Sequence, residues 1–430
     1  MTSPRCADVV IVGGGPAGSS LAFTLAQAGV HVVVLDRARF PRPKPCAEYL
    51  SPQASRVLAD MGVLADVERS GAAQLAGMVI RAPNGIRVVG EFAGCAMKGF
   101  RDRGLSVRRE ILDAIVLDAA RRAGAEVREG VRVTDVVRDG HGRARGVRTL
   151  SGERLEAGLV VGADGLRSVV ARRLGLAHVA RWPRRYALVT HYRDVGDMGP
   201  CGEMHVESGG YVGIADVGSG LTTVALVVPR RRAAAIGAGR EAFLDRWLAA
   251  RPQLAPRFAR ATRVSPVVAT GPFASRARRA WAPGAALVGD AADFFDPFTG
   301  EGIYAALRGG ELLGPFVLEA LGAASAAASA EALAGYERAR RREFGGKWTV
   351  EWIIGAVVGS PRLMNRAARV LAARKDMADL LVGVTGDFVP ASAVLNARYV
   401  LTLFVLPLAH ATRYPPAFRG HPHVSHNDRS

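Results

Sequence analysis

Lysine is nearly missing from this chain, with four in 430 residues: Lys44, Lys98, Lys347 and Lys375. Arginine supplies the rest of a net charge of +18, in short clusters such as Arg230–Arg232 and Arg340–Arg342. No basic block is interleaved with aromatics, which argues against a nucleic-acid partner. A basic surface of this kind suits anionic cofactors, carrier proteins or membrane headgroups. A genomic composition bias would produce the same arginine excess. Cysteine is equally scarce. Cys6, Cys46, Cys95 and Cys201 form no C-x-x-C and no paired spacing, so no metal site, redox dithiol or disulfide scaffold is expected. No apolar run reaches the roughly eighteen residues of a membrane span; the longest, Tyr399 to Ala409, is too short. The first strand is expected within ten residues of Met1, which leaves no room for a signal peptide and predicts a cytoplasmic protein.

What the chain does have is apolar residues, 49% against 22% charged, over a length that allows two or three domains and a large core. They are organised around Ala7 to Arg37. Ala7–Val12 reads as a buried strand. Gly13, Gly15 and Gly18 follow at G-x-G-x-x-G spacing, directly before a small-residue helix from Pro16 to Ala28. His31–Leu35 is a second buried strand, ending on Asp36. Gly13 allows the tight turn, Gly15 lets a pyrophosphate approach the backbone, and Gly18 lets helix and strand pack closely. The helix N-terminus offers unpaired N–H groups to phosphates. Asp36 is placed to accept hydrogen bonds from ribose hydroxyls. A lone glycine motif is weak; between a strand and a helix, with the acid in place, it predicts dinucleotide binding. No second such motif follows, so a separate nicotinamide domain is not expected.

After Asp36, prolines between Phe40 and Pro45 prevent a regular helix, and a surface loop carrying Cys46 and Glu48 is expected before a helix over Pro52–Met61. Residue physics alone makes Cys46 a buried thiol and Glu48 a solvated carboxylate. Gly77–Arg81 and Ile86–Phe92 read as a hairpin around Asn84-Gly85. Ser106–Gly124 reads as an amphipathic helix, Thr134–Arg138 with Gly146–Thr149 as another hairpin, and Leu159–Val161 as a short buried strand. Tyr186–Tyr192, Gly202–Val206, Tyr211–Ala215 and Leu221–Val228 predict a second, mostly antiparallel sheet over one face of the cofactor. Arg231–Arg251 reads as helical. From about Arg341 the chain reads as helical, with Trp348, Trp352, Ile353, Leu363, Met364, Leu380 and Leu381 giving apolar faces, and from about Arg413 as a disordered tail.

Two further motifs make the chain recognisable. One is Gly162-Ala163-Asp164-Gly165-x-Arg167-Ser168. The other is Gly289-Asp290-Ala291-Ala292 followed by Pro297-Phe298-Thr299-Gly300-Glu301-Gly302. Asp290 suits a ribitol hydroxyl of FAD, and equally a helix N-cap. Gly300 and Gly302 remove side chains where an isoalloxazine must touch backbone. A helix starting near Gly302 would aim its positive end at the flavin N1–C2=O edge, favouring the negative charge gathered there on reduction. With Gly13–Gly18 and Asp36-Arg37, the chain resembles the single-Rossmann FAD enzymes that include aromatic hydroxylases, geranylgeranyl reductases and flavin-dependent halogenases. The resemblance covers roughly the first 340 residues. It implies an α/β fold: a Rossmann-like FAD-binding domain with an inserted, mostly antiparallel substrate sheet and a helical C-terminal region. The expected boundaries are 1–75, 98–180 and 265–340 for the discontinuous FAD-binding domain and 76–97 with 181–264 for the substrate sheet. Residues 341–412 would form the helical region, and 413–430 the tail. The implied cofactor-binding residues are Gly13, Gly15, Pro16, Ala17, Gly18, Asp36, Arg37, Arg109, Asp164, Gly289, Asp290, Pro297, Gly300 and Gly302. Arg109 reads equally as a surface arginine on its helix.

The branch is read from smaller signals. FPRPKPCAEYLSP is similar to the F-P-R-x-K-x-C-G-G pattern of geranylgeranyl reductases, with Ala47 and Glu48 in place of glycines. The aromatic-rich Y-x-W-x-F-P segment of those reductases is reduced here to Tyr211-Val212-Gly213-Ile214-Ala215. The halogenase W-x-W-x-I-P is missing and Lys98 has no motif around it, so halogenation ranks last. Frequency in this architecture puts first an NAD(P)H-using monooxygenase of a lipophilic aromatic, polyketide or quinone-like molecule, acting through a flavin C4a-hydroperoxide. Reduction of isoprenoid C=C bonds is the alternative, and a non-catalytic flavin-binding sensor the third reading. Cys46, Tyr211 and Phe298 are the catalytic candidates. Phe294 and Phe295 join Phe298 as lining aromatics, and His191, Tyr192, His205 and Glu207 are sheet residues of unassigned face. The implied partners are a small lipophilic substrate, NAD(P)H as transient reductant or a separate electron donor, and a peripheral membrane surface.

Overall fold

Short β-branched runs flanked by glycine make the centre of the molecule. The computed structural model describes residues 7–179, 184–232, 236–237 and 239–407; Cys6 and the expected tail lie outside them. Ala7–Val12 pairs in parallel with Val32–Asp36 on one side and Arg154–Gly162 on the other. Glu126–Glu129 and Ala285–Leu287 extend this sheet in parallel. Buried on both faces, the central strands Ala7–Val12, Val32–Asp36 and Ala285–Leu287 read as nearly continuous apolar runs, while Glu126–Glu129 at the sheet edge is charged and only half-buried. The strand expected over Leu159–Val161 is longer, Arg154–Gly162, because its first half pairs antiparallel with Ala144–Thr149 while its second half enters the parallel core. The Rossmann-like fold is the observed one.

The helix Pro16–Gln27 crosses from the first strand to the second and is packed by Gly302–Gly322. Their approach is close enough that a Cβ on Gly310 would lie 2.6 Å from the Ala17 carbonyl oxygen. At the crossing of strand and helix, a Cβ on Gly18 would lie 1.9 Å from the Gly13 carbonyl oxygen. Gly13 itself has φ +110° and is backed by Ala163 O. Both positions therefore require glycine.

The inserted sheet runs Thr262–Arg263, Arg185–Arg193, Leu221–Pro229, Gly210–Asp216, Gly202–Glu207, Gly77–Arg81, Arg87–Glu91. It is antiparallel except where Gly202–Glu207 meets Gly77–Arg81. Alternation divides its residues between two faces, and the helix Arg240–Ala249 identifies one of them. Leu188, Val212, Ile214, Val224 and Leu226 pack with Leu244, Trp247 and Leu248 of the helix Arg240–Ala249. The other face, carrying Ala187, Tyr211 and Val227, turns toward the Rossmann domain and the C-terminal helices. Of the helix expected over Arg231–Arg251, the described residues give a short turn at Arg230–Arg232, helical residues 236–237 and the helix Arg240–Ala249, which follows Gly239 with its φ of +149°. Pro52–Met61 shortens to Ala54–Asp60, and Ser106–Gly124 to Arg109–Arg122 behind the strand Gly104–Ser106.

The C-terminal region is helical, and one helix, Ala326–Val358, runs through its expected start. Trp348, Met364, Leu380 and Leu381 pack inward, Ile353 is half-buried outside the core clusters, and Trp352 and Leu363 are exposed and supply no core face. Lys375–Thr385 lies along the edge strand Arg87–Glu91, where the Glu91 amide donates to Asp379 Oδ1 at 2.8 Å. Among the described residues no helix is long and apolar enough to cross a membrane.

Gly18→Ala is expected to lower stability by about 1–3 kcal/mol, the usual cost of forcing atoms into a packed site. Gly345→Ala, in a helix with nothing within 4 Å of the added carbon, should instead add up to about 1 kcal/mol. Urea unfolding of the two variants checks both.

Candidate active site

Where the parallel strands end, the first helix, the inserted sheet and the C-terminal helices enclose a cavity of about 920 Å³, at the upper end of small-molecule and cofactor sites. The turn after the first strand brings Gly13, Gly15, Pro16 and Ala17 to its wall, with Asp36 and Arg37 from the end of the second strand. Gly18 stands behind them as packing. A Cβ on Gly15 would meet nothing nearer than the Arg42 guanidinium at 3.5 Å, so this side of the helix N-terminus is open to a phosphate. Asp36 accepts the amides of Gly14 and Ala38, each at 2.8 Å, leaving second lone pairs for a ribose.

Asp164, Gly289, Asp290, Pro297, Gly300 and Gly302 form the opposite wall. Asp164 Oδ2 accepts the Val169 amide at 2.6 Å, while Oδ1 is buried without a partner. Burial pushes this carboxyl up, against the pull of the Ser168 hydroxyl and the local amides. Asp290 makes no helix cap. Its carboxylate lies 3.7 Å from Lys44 and half-opens on the cavity, so capping, the competing use of this residue, is not the observed one. Arg109 is no surface arginine. It is buried, donates to Asp113 through Nε at 2.7 Å and Nη2 at 2.8 Å, and lines the cavity with its helix start. The Arg42 guanidinium joins the same Asp113 at 3.1 Å.

Sequence reasoning and structure part company at three places. Cys46 is half-buried and lines the cavity, whereas Glu48 is 3% exposed, the reverse of the bland reading. Phe294 and Phe295 line the cavity, but Phe298 does not. Its backbone turns in the short helix Pro297–Thr299, and its ring lies behind Tyr211, edge-on with centroids 5.0 Å apart. Tyr211 does face the cavity, yet its hydroxyl already donates to Asp296 Oδ1 at 2.6 Å, with Arg185 donating to Oδ2 at 2.5 Å. His205 points to the other face, against Glu203 at 2.7 Å; Glu207 accepts from Gln253, and Tyr192 packs on Phe258. Lys98 is exposed and donates to the Ala93 carbonyl, away from the cavity.

The sequence reading missed a buried acid–base group at the cavity floor. Glu301, Lys347, Glu351 and Asp387 all line it, and Lys347 donates to Asp387. Burial raises the Glu301 carboxyl to about 7, opposed by the Lys347 charge. Burial, then the Glu301 charge, pushes Glu351 well above the usual carboxylate range, and burial lowers Lys347. The signal was present in part, because Glu301 lies inside a quoted motif, but only the fold brings Lys347 and Glu351 to it.

The Glu301 proton has a consequence for stability. The folded chain retains a proton that the unfolded chain releases above its ordinary value of 4.5, so stability falls as pH rises from there through about 7. Glu301→Gln removes that fall. Its urea midpoint relative to the parent should therefore climb between about pH 5 and pH 8.

An open phosphate-sized gap at a helix start, an unpartnered buried Asp164 oxygen and an uncapped Asp290 fit FAD. The comparisons agree. Residues 6–346 match the FAD-binding domain family. The chain is 33% identical to the digeranylgeranylglycerophospholipid reductase of Methanothrix thermoacetophila over 79% of this chain and 84% of that one. It is 36% identical to the menaquinone reductase of Mycolicibacterium smegmatis over 39% of this chain and 40% of that one. Among solved structures it is similar to the myxobacterial chondrochloren halogenase CndH, an FAD-dependent halogenase, at 29% identity and TM-score 0.74, covering 81% and 82% of the two chains. The chain belongs to the FAD-binding domain family, as a single-Rossmann FAD-dependent oxidoreductase of the group that spans aromatic hydroxylases, flavin-dependent halogenases and geranylgeranyl reductase-like enzymes.

Proposed function

We propose that the protein reduces carbon–carbon double bonds in a lipophilic, isoprenoid-type molecule. The observation that carries this is the substrate wall. The sheet offers Ala187, Val189, Met204, Gly213, Ala225 and Val227 to the cavity, while the Tyr211 hydroxyl is held by Asp296. A smooth aliphatic face suits an extended hydrocarbon chain; a phenol or polyketide needs placed hydrogen-bond partners for orientation. The two relatives named as reductases support the same reading over the hydroxylation that frequency alone ranks first.

FAD, when bound and reduced, supplies the two electrons such a reduction needs, with NAD(P)H or a separate donor upstream. The chain supplies the rest. Gly15 and the first helical turn would hold the pyrophosphate, Asp36 the ribose, and Asp164 and Asp290 the ribityl chain. The aliphatic wall excludes water. Glu301 holds a proton on its carboxyl near neutral pH in a site shielded from solvent, poised to give it to the substrate carbon, and the nearby Lys347 charge would stabilise the carboxylate left behind.

Anaerobically photoreduced holoenzyme mixed with a polyprenyl compound in a stopped-flow spectrometer should regain its oxidised flavin spectrum rapidly. The product should gain two hydrogens per reduced bond by mass spectrometry. Slow reoxidation by the polyprenyl panel, with fast reoxidation by dioxygen and a hydroxylated product, would overturn the reading and leave the hydroxylase. Glu301→Gln should bind FAD normally yet lose about 100-fold in turnover, the usual worth of a placed acid.

A further inference from the structure

We propose that Glu48 is a positioning residue that ties the Cys46 loop to the substrate sheet through His191 and to the helix Arg109–Arg122 through the Arg109 amide, and so fixes the Cys46 thiol at the cavity wall. The position is unusual in two ways. Glu48 has φ +63°, left-handed backbone that glycine adopts freely and that is strained for a side-chain-bearing residue. It is also buried, although it carries a carboxylate. A strained, buried acid persists only where its contacts outweigh both costs.

Those contacts reach two separate elements. Glu48 Oε1 accepts the Arg109 amide at 3.0 Å, and Oε2 lies 2.7 Å from His191 Nε2. The imidazole is itself oriented, since its Nδ1 lies 3.1 Å from Ser265 Oγ, and that hydroxyl also accepts the His191 amide at 2.9 Å. The Glu48 backbone is held as well, with its carbonyl accepting the Val107 amide at 3.1 Å. At the near end, the Glu48 amide donates to Cys46 Sγ at 3.4 Å. One carboxylate thus joins the sheet, the helix start and the thiol loop, and Cys46 and Arg109 both face the cavity. Glycine at this position would keep the backbone conformation and the backbone contacts to Cys46 Sγ and Val107, and release the sheet and the helix start.

The test needs no substrate, so its outcome is independent of the reductase reading. In FAD-loaded holoenzyme, alkylation of Cys46 by iodoacetamide is followed by peptide mass mapping, with buried Cys95 and Cys201 as internal reporters of global loosening. Glu48→Gly leaves the left-handed backbone unstrained and should raise the Cys46 rate about tenfold, with Cys95 and Cys201 unchanged. His191→Phe should do the same, and the double variant should be no faster than either single one. Glu48→Gln, which keeps an acceptor for the Arg109 amide and a donor for His191, should restore the parent rate. Unchanged Cys46 labelling in Glu48→Gly, additive effects in the double variant, or failure of Glu48→Gln to restore the rate would overturn the proposal.

Discussion

Everything at the cavity depends on one backbone approach, the contact between the Gly13 carbonyl and the Cα of Gly18. It sets how closely the first helix rides on the first strand, and hence where the helix N-terminus points. The Gly302–Gly322 helix then packs on that first helix through Gly310 with no side chain between the backbones. Because Glu301 directly precedes this second helix, its position is inherited from the same contact. A shift of even a fraction of an ångström at Gly18 would be transmitted to both walls of the site, since close-packed interiors do not absorb such changes locally.

The second constraint is charge. Among the carboxylates lining the cavity, Asp293, Asp296 and Asp387 are ion-paired with Arg340, Arg185 and Lys347, whereas Asp36, Asp164, Glu301 and Glu351 are not. Asp36 is satisfied by amides, Asp164 keeps one bare oxygen, and Glu301 stays protonated to about 7. Basic groups line the same cavity, Arg42 and Arg109 beside Asp113 and Lys44 beside Asp290. This arrangement favours an anionic pyrophosphate at one end and an acid still holding its proton at the other.

The fold was legible where its signals are local. Glycine spacing beside β-branched runs, and two hairpins with Asn-Gly or Asp-Gly turns, place most strands to within a residue or two. The cofactor wall was legible for the same reason, since its residues come in motifs. What failed was orientation and distance. Nothing in Pro297-Phe298-Thr299 reveals which way a short helical turn rotates Phe298. Nothing near Glu48 reveals a partner 143 positions away. The inward face of the substrate sheet could not be chosen from alternation, because both faces are apolar; the helix Arg240–Ala249 covering one of them decides it. Exposed Trp352 and Leu363 show the converse error, an apolar residue on a helix read as core when its side of the helix faces outward.

The helix Lys375–Thr385 lying along Arg87–Glu91 bears on how far this chain can be shortened. An uncovered edge strand presents free N–H and C=O groups to any other strand it meets. Here the helix takes up one of those groups through Asp379 and presses Val382 and Ala378 against Gly90. The C-terminal helices therefore act as a guard against edge-to-edge aggregation as well as a wall. A minimal version cut after the FAD-binding residues would keep every cofactor motif and still be insoluble.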